Sequence, residues 1–162
     1  MTIWKKLLRW RQQILSFLSP DPLERCRWIN FPVTRHSYSE KPKDQLARAG
    51  EDAAVDFLAE KGYAILHRNI RFPEGELDIV ARRQRMLVFI EVKTRRTEKY
   101  GQPYQFVSEQ KQRRLIRMAS RFVFLCRLKG VPVRFDIVSV VLPSGEVPKI
   151  EHIENAFLVN DL

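Results

Sequence analysis

Gly75-Glu76-Leu77-Asp78-Ile79-Val80-Ala81, Arg82-Arg83-Gln84-Arg85 and Met86-Leu87-Val88-Phe89-Ile90-Glu91-Val92-Lys93 read in succession as a strand, a polar turn and a second strand. Side chains alternate along a strand, so Glu91 and Lys93 share one face while Val88, Ile90 and Val92 take the other. If the hairpin pairs Arg82 with Leu87, the register sets Asp78 opposite Glu91, with Cβ atoms roughly 5 Å apart. Two carboxylates that close repel, and one stays protonated unless a positive group neutralises the pair. A hard divalent ion is suited to that task. Mg²⁺ takes oxygen ligands, keeps several waters and is commonly held by one or two carboxylates plus a substrate phosphate. Lys93 could then orient or help deprotonate an attacking water and offset charge on the phosphate, while the ion acidifies that water. The alternative is a plain surface ion pair between Glu91 and Lys93, which by itself signifies little. The apolar opposite face, with two acids and a lysine on the face expected to meet solvent or substrate, favours the functional reading.

Outward from the hairpin, apolar residues Leu46, Ala49, Ala53 and Phe57 predict a helix that begins near Asp44 and ends at Lys61-Gly62. Tyr63 to Ile70 alternates as a first strand, and Phe72-Pro73-Glu74-Gly75 makes the turn into the hairpin. Residues 107–129 return to helical periodicity through Leu115, Met118, Phe122 and Cys126. Val131 to Leu142 reads as a further strand, Pro143-Ser144-Gly145 as a turn and Val147 to Ile153 as a short last strand. Helix, three strands, long helix and two strands predict an α/β fold: a mixed sheet flanked by helices, the long helix crossing over to a parallel neighbour.

Residues 1–43 differ in character. Ile3, Leu7, Trp10, Ile14, Leu15 and Leu18, with Lys5, Lys6, Arg9 and Arg11 between them, suit an amphipathic helix. Pro20, Pro22, Pro32 and Pro42 then argue for an extended arm that docks through Trp28 and Phe31. The expected division is an arm at 1–43 and a compact domain at 44–162. The basic residues within the first segment argue against a signal peptide and a membrane span. That helix could instead lie on an anionic membrane or fill a partner's groove.

Lys and Arg total 29 against 19 Asp and Glu, a formal +10 in 162 residues, which favours a polyanionic partner such as nucleic acid or anionic lipid. Cys26 and Cys126 have no zinc-ligand spacing and support no disulfide framework, so a reducing cytoplasm is the expected setting. No small-molecule organic cofactor is expected. His36, His67 and His152 are dispersed and read as incidental.

With these residues in view, the chain resembles the YraN family of predicted bacterial endonucleases, within the PD-(D/E)xK restriction-endonuclease-like superfamily, and is similar to archaeal Holliday-junction resolvases. The resemblance covers about residues 49 to 157. It is carried by Gly50-Glu51, Gly62-Tyr63-Ala64-Ile65-Leu66, Arg68-Asn69-Ile70-Arg71, Gly75 to Ala81, Leu87 to Arg95 and Arg134-Phe135-Asp136-Ile137-Val138. It implies an αβββαβ core in which Asp78 and Glu91 bind Mg²⁺ or Mn²⁺, the Val92 carbonyl adds a ligand and Lys93 assists catalysis on DNA, branched or structured by analogy with resolvases. Leu77 stands where the superfamily carries a proline, and the metal-binding acids survive that change. Resolvase-like folds often dimerise, so a homodimer is an open partner.

Other residues have two readings each. Glu51, placed in the first turn of its helix and sharing a flank with Ala54 and Leu58, is implied by the resemblance to be a third acid at the metal. Otherwise it supplies favourable charge at a helix N-terminus. Glu76 shares the Asp78 face as an outer acid or an arginine's partner. Lys111 points toward the sheet, either to the scissile phosphate or along the core edge with its amine in water. Arg114, Arg117 and Arg121 stripe one helix side, while Arg82, Arg83, Arg85, Arg95 and Arg96 crowd the hairpin ends; these suit phosphate contacts or a solvated surface. Asp136 pairs with Arg134 or Lys93, or serves a strand end. The expected function is a Mg²⁺- or Mn²⁺-dependent DNA endonuclease, the alternative a nucleic-acid-binding module with little hydrolysis, working in a DNA-processing complex.

Overall fold

The computed structural model describes residues 21–27, 29–31, 41–97, 107–145 and 147–157. A five-residue helix α1 (Pro22–Cys26) begins at Asp21, whose side chain accepts from the Leu23 N–H at 2.9 Å. Helix α2 (Pro42–Glu60) carries proline in its first turn, where a missing N–H costs no hydrogen bond. It stops at Gly62, whose φ of 79° is the left-handed conformation that ends many helices. Strands β1 (Ala64–Phe72), β2 (Gly75–Arg83) and β3 (Met86–Arg95) follow. Helix α3 (Glu109–Leu125) is capped by Ser108, which accepts from the Lys111 N–H, and leads to β4 (Val133–Val141) and β5 (Lys149–Ile153).

The five strands lie in the order β1-β2-β3-β4-β5. Only β3 and β4 run parallel, joined by the crossover through α3, and the other neighbours are antiparallel. This is the expected mixed sheet flanked by helices. The hairpin register also agrees: Arg82 pairs with Leu87, and the turn shortens to Gln84-Arg85, where Gln84 takes a φ of 56°. The ladder runs from Arg83–Met86 to Ile79–Ile90, so Asp78 and Glu91 stand just beyond its last pair.

Three expectations are corrected. First, the Glu91 side of β3 is not an open face. Leu87 and Phe89 on that side are buried with Leu115, Met118 and Phe122 of α3, while Val88 and Ile90 pack on the other side with Ala54 and Leu58 of α2. A strand covered on both faces is apolar throughout, as central strands of parallel pairs tend to be. Second, the buried stripe of α2 is Gly50, Ala54 and Leu58, one residue on from the expected Ala49, Ala53 and Phe57. The reason is close approach: a Cβ on Gly50 would lie 1.9 Å from Thr94 Oγ1, so the helix rests on β3 through its glycine.

Third, the arm docks through Phe31 as expected but is not wholly extended, since a short helix within it joins the core. Leu23, Cys26 and Phe31 are buried, and the Phe31 ring stacks on Phe122 at a centroid distance of 4.8 Å. Cys26 and Cys126 meet there: a hydrogen bond between the two thiols, together with burial, pushes Cys126 well above the ordinary thiol range. Trp28, His36 and the amphipathic segment 3–18 lie outside the described residues.

Candidate functional site

The site forms where β2 begins and β3 ends. Asp78 comes from the start of β2, Glu91 and Lys93 from the far half of β3, and Lys111 from the first turn of α3. Glu91 is only 5% exposed, and its Oε1 receives Lys93 Nζ at 2.6 Å and Lys111 Nζ at 3.1 Å. Its second oxygen, Oε2, is buried and has no hydrogen-bond donor among the described residues. A buried carboxylate oxygen in that condition is costly, because it has given up water and gained no partner.

Asp78 Oδ2 accepts the Val92 N–H at 2.8 Å, which ties the acid of one strand to the backbone of the next just where their ladder ends. Burial pushes the Asp78 carboxyl well above its ordinary range, and the charges of Glu91 and Glu51 push it further. The Val92 N–H and the Lys111 charge pull the other way without cancelling the effect. The clustered acids therefore act on one another as the sequence suggested.

Glu51 is among the groups that act on Asp78, which brings it to the same site. Helix α2 begins at Pro42, so Glu51 sits more than two turns inside it. The helix-terminus explanation for its charge thus falls away, since the dipole acts within the end turns. Its neighbours Ala54 and Leu58 are the centre of the buried stripe, and the Gly50–Thr94 contact fixes the distance of Glu51 from the sheet.

Lys111 faces the sheet as expected, but its amine meets Glu91 instead of lying only in water. Arg114, one turn further along α3, is exposed, and so is Arg96 just after β3; Arg95 closes β3 opposite Val141. Arg82 and Arg83 belong elsewhere. Arg82 ion-pairs with Asp21 and with Glu24, the latter at 3.3 Å. Arg83 donates to the Gly62 carbonyl at 3.0 Å and lies over the Tyr63 ring. Both stand at the turn end of the hairpin, roughly 13 Å and roughly 17 Å along β2 from Asp78, so they do not crowd the acids. Arg121 lies 3.6 Å from Glu74 near the β1–β2 turn, and Arg117 is exposed.

Of a second polar cluster the sequence reading offered only the pairing of Asp136 with Arg134. Asp136, 1% exposed, accepts from Arg134 Nε at 2.8 Å and Nη2 at 2.7 Å, from His152 Nε2 at 2.9 Å and from the Asn155 N–H at 3.0 Å. Arg134 also donates to Tyr63 Oη at 2.6 Å and to Glu154 at 2.7 Å. Asp136 thus pairs with Arg134, not Lys93, and His152 is its partner rather than an incidental residue. His67 is likewise placed, sharing a hydrogen bond with the Cys26 carbonyl at 2.6 Å. Two opposite charges two residues apart, Arg134 and Asp136, inside the otherwise apolar run Val131 to Leu142 were the local signal for this cluster.

Residues 50–140 match the profile of the Uncharacterised protein family UPF0102. The chain belongs to that family. UPF0102 proteins of Dictyoglomus turgidum and Caldicellulosiruptor saccharolyticus are 42% and 46% identical to it over 114 and 116 residues, which is 70% and 71% of this chain and 97% and 98% of the relatives. A UPF0102 protein of Syntrophotalea carbinolica is 46% identical over 115 residues, 71% of this chain and 93% of its own. The family resemblance drawn from the sequence is thereby borne out. The UPF0102 match takes in Glu51, Asp78, Glu91, Lys93, Lys111 and Asp136, whereas Leu23, Cys26 and Phe31 lie before it. Among the described residues, no helix is long and apolar enough to cross a membrane.

Proposed function

We propose that this UPF0102 protein is a metal-dependent phosphodiesterase acting on DNA, with Mg²⁺ or Mn²⁺ held by Asp78, Glu91 and the Val92 carbonyl and with Glu51 beside them. The observation that carries the reading is the pairing of two mutually repelling acids with a buried Glu91 oxygen that no donor among the described residues satisfies. The donor set fits a hard cation. Among the described residues no three His, Cys, Asp or Glu side chains gather tightly enough to cage an ion by themselves. Such a site suits Mg²⁺, which leaves positions to water and substrate phosphate. Bound there, the ion supplies an acidified water and charge neutralisation at the phosphate.

The chain's own groups do the rest. Val92 holds Asp78 through its N–H and so fixes the carboxylate that faces Glu91. Lys93, 2.6 Å from Glu91, keeps a positive charge at the site, where it can orient a water and offset developing negative charge on a phosphoryl oxygen. Arg95, Arg96, Lys111 and Arg114 around the mouth suit backbone phosphates, which give affinity and salt dependence without base readout. A preference for branched or structured DNA extends the reading by analogy with resolvase-like folds.

The test is cleavage of labelled four-way junction, flap and single-stranded DNA with Mg²⁺ or Mn²⁺, beside Asp78→Ala, Glu91→Ala and Lys93→Ala. Metal-dependent cleavage lost in all three variants is expected. Salt-sensitive DNA binding that survives Asp78→Ala, with no cleavage by any form, would replace the enzyme by a binding module.

A further inference from the structure

We infer that Lys111 is an exchangeable counter-ion of the site. It shares the Glu91 carboxylate with any divalent cation that this group takes, and on exchange it delivers its ammonium to a phosphate of the nucleic acid. Cation and nucleic acid then strengthen each other's binding. The inference rests on the phosphodiesterase reading and specifies how that site is regulated.

The charge arrangement around Glu91 is lopsided. Two ammonium groups converge on Oε1, at 2.6 Å and 3.1 Å, while buried Oε2 has no donor among the described residues. With the Asp78 carboxyl pushed toward protonation by burial and by its neighbours, the two lysines already balance the other acids of the site, Glu91 and Glu51. A divalent ion on Glu91 overshoots that balance, and like charges at contact distance in a half-enclosed site repel strongly. One ammonium has to leave.

Lys111 is the one placed to go. Lys93 sits two residues from Glu91 on the same strand, a strand covered on both faces, and makes the shorter contact. Lys111 reaches in from a different element and across the longer contact, and although both side chains touch solvent, 34% exposed against 31%, only that of Lys111 is anchored away from the strand. Its four-carbon stem allows the ammonium to swing without moving α3. What it swings toward is basic: Arg114 is exposed one turn along the same helix, and a phosphate there would meet both cations. Because exchange ties the two ligands to one side chain, the coupling has to be reciprocal.

Calorimetric titration of the full chain with Mn²⁺, and DNA-binding titrations with a phosphorothioate-linked duplex with and without Mn²⁺, test this. Lys111→Met and Lys111→Gln are compared with wild type and with Arg114→Met, which removes a nearby charge that does not touch Glu91; thermal melts confirm that each variant folds. Both Lys111 variants should bind Mn²⁺ alone roughly three- to tenfold more tightly than wild type, as expected for removal of a competing ion pair. Arg114→Met should leave the affinity for Mn²⁺ alone near wild type while weakening DNA binding by the loss of one phosphate contact. The tightening of DNA binding by Mn²⁺ should shrink in the Lys111 variants. Unchanged or weaker Mn²⁺ affinity in those variants, or equal tightening in Arg114→Met, overturns the exchange while leaving the phosphodiesterase reading intact. No Mn²⁺ binding by the wild-type chain removes both.

Discussion

Replacing Gly50 by alanine tests the contact that sets the depth of α2 against the sheet. The new Cβ would lie 1.9 Å from Thr94 Oγ1, 2.5 Å from its Cγ2 and 2.7 Å from its Cβ. All three lie inside the separations that real side chains tolerate, so helix and strand must part by about an ångström. Two effects oppose each other. Alanine in a helix interior is favoured over glycine by about 1 kcal/mol, whereas overpacking of a close contact costs about 1–3 kcal/mol. Because the clash involves the Thr94 Cβ as well as its branches, a rotamer change cannot relieve it, and the upper part of that range applies. The net loss is about 1–2 kcal/mol, or a Tm roughly 3–7 °C lower for a chain of this size. Thermal denaturation followed by circular dichroism measures it. Thr94→Gly in the same chain removes all three clashing atoms, so the double variant should lose less than the sum of the singles. Gly50→Ala should also weaken Mn²⁺ binding, since the helix that retreats carries Glu51. A Gly50→Ala protein as stable as wild type, or more so, would show that helix propensity rules at this position and that the close approach is absent.

Phe31→Ala removes a buried ring stacked on Phe122 and should cost about 3 kcal/mol in denaturant unfolding, whereas an arm merely trailing from the domain would cost nothing. Asp78→Asn relieves a carboxyl pushed up by burial and by the Glu91 and Glu51 charges, so it should raise the Tm at neutral pH while abolishing Mn²⁺ binding; a lower Tm would mean that the Val92 N–H bond outweighs the repulsion. Asp136 goes the other way. Burial alone would raise its carboxyl, but hydrogen bonds from His152, Arg134 and the Asn155 N–H, with the Arg134 charge, hold it below the ordinary carboxylate range. Its stabilising share is therefore complete above about pH 4, the usual unfolded value, and is lost as pH falls through the depressed folded value. Asp136→Asn should lose about 3 kcal/mol at neutral pH and show a shallower acid limb; an unchanged acid limb would exclude Asp136 as its source.

What could be read from the chain was whatever local period determines. The hairpin register followed from strand alternation and a short polar turn, and the element order followed from changes of period, so the sheet and the facing of Asp78 and Glu91 were legible. The misreadings all involve partners distant in sequence. Periodicity on α2 counted apolar side chains and so placed the stripe on Ala49 and Ala53, but a glycine at the contact with Thr94 turned the helix by one residue. Residues 21–31 show no period because α1 is only five residues long, yet three of them fill the core. Arg82 looked like a phosphate ligand until Asp21 and Glu24, far back in the chain, engaged it. Arg134, two residues from Asp136, was a legible partner, but nothing local signalled that a histidine and a backbone N–H from the last strand region would converge there too.

The position of the candidate site follows from the topology itself. Because β3 and β4 are parallel, the chain must leave the far end of β3, run along α3 and return to the near end of β4, which sets the first turn of α3 over the end of β3. The antiparallel β2 begins at that same end. Three segments distant in sequence are thus forced together: the start of β2 with Asp78, the end of β3 with Glu91 and Lys93, and the start of α3 with Lys111. There the covering layers thin out, so Glu91 lies next to Phe89 in the buried interior while Lys93 and Lys111 still reach solvent. Ligands of open α/β sheets commonly bind at the carboxyl ends of parallel strands for this geometric reason. A charge reversal at any one of these four residues should therefore disturb the other three, whereas changes at Arg82 or Arg83, at the opposite end of the hairpin, should leave them alone.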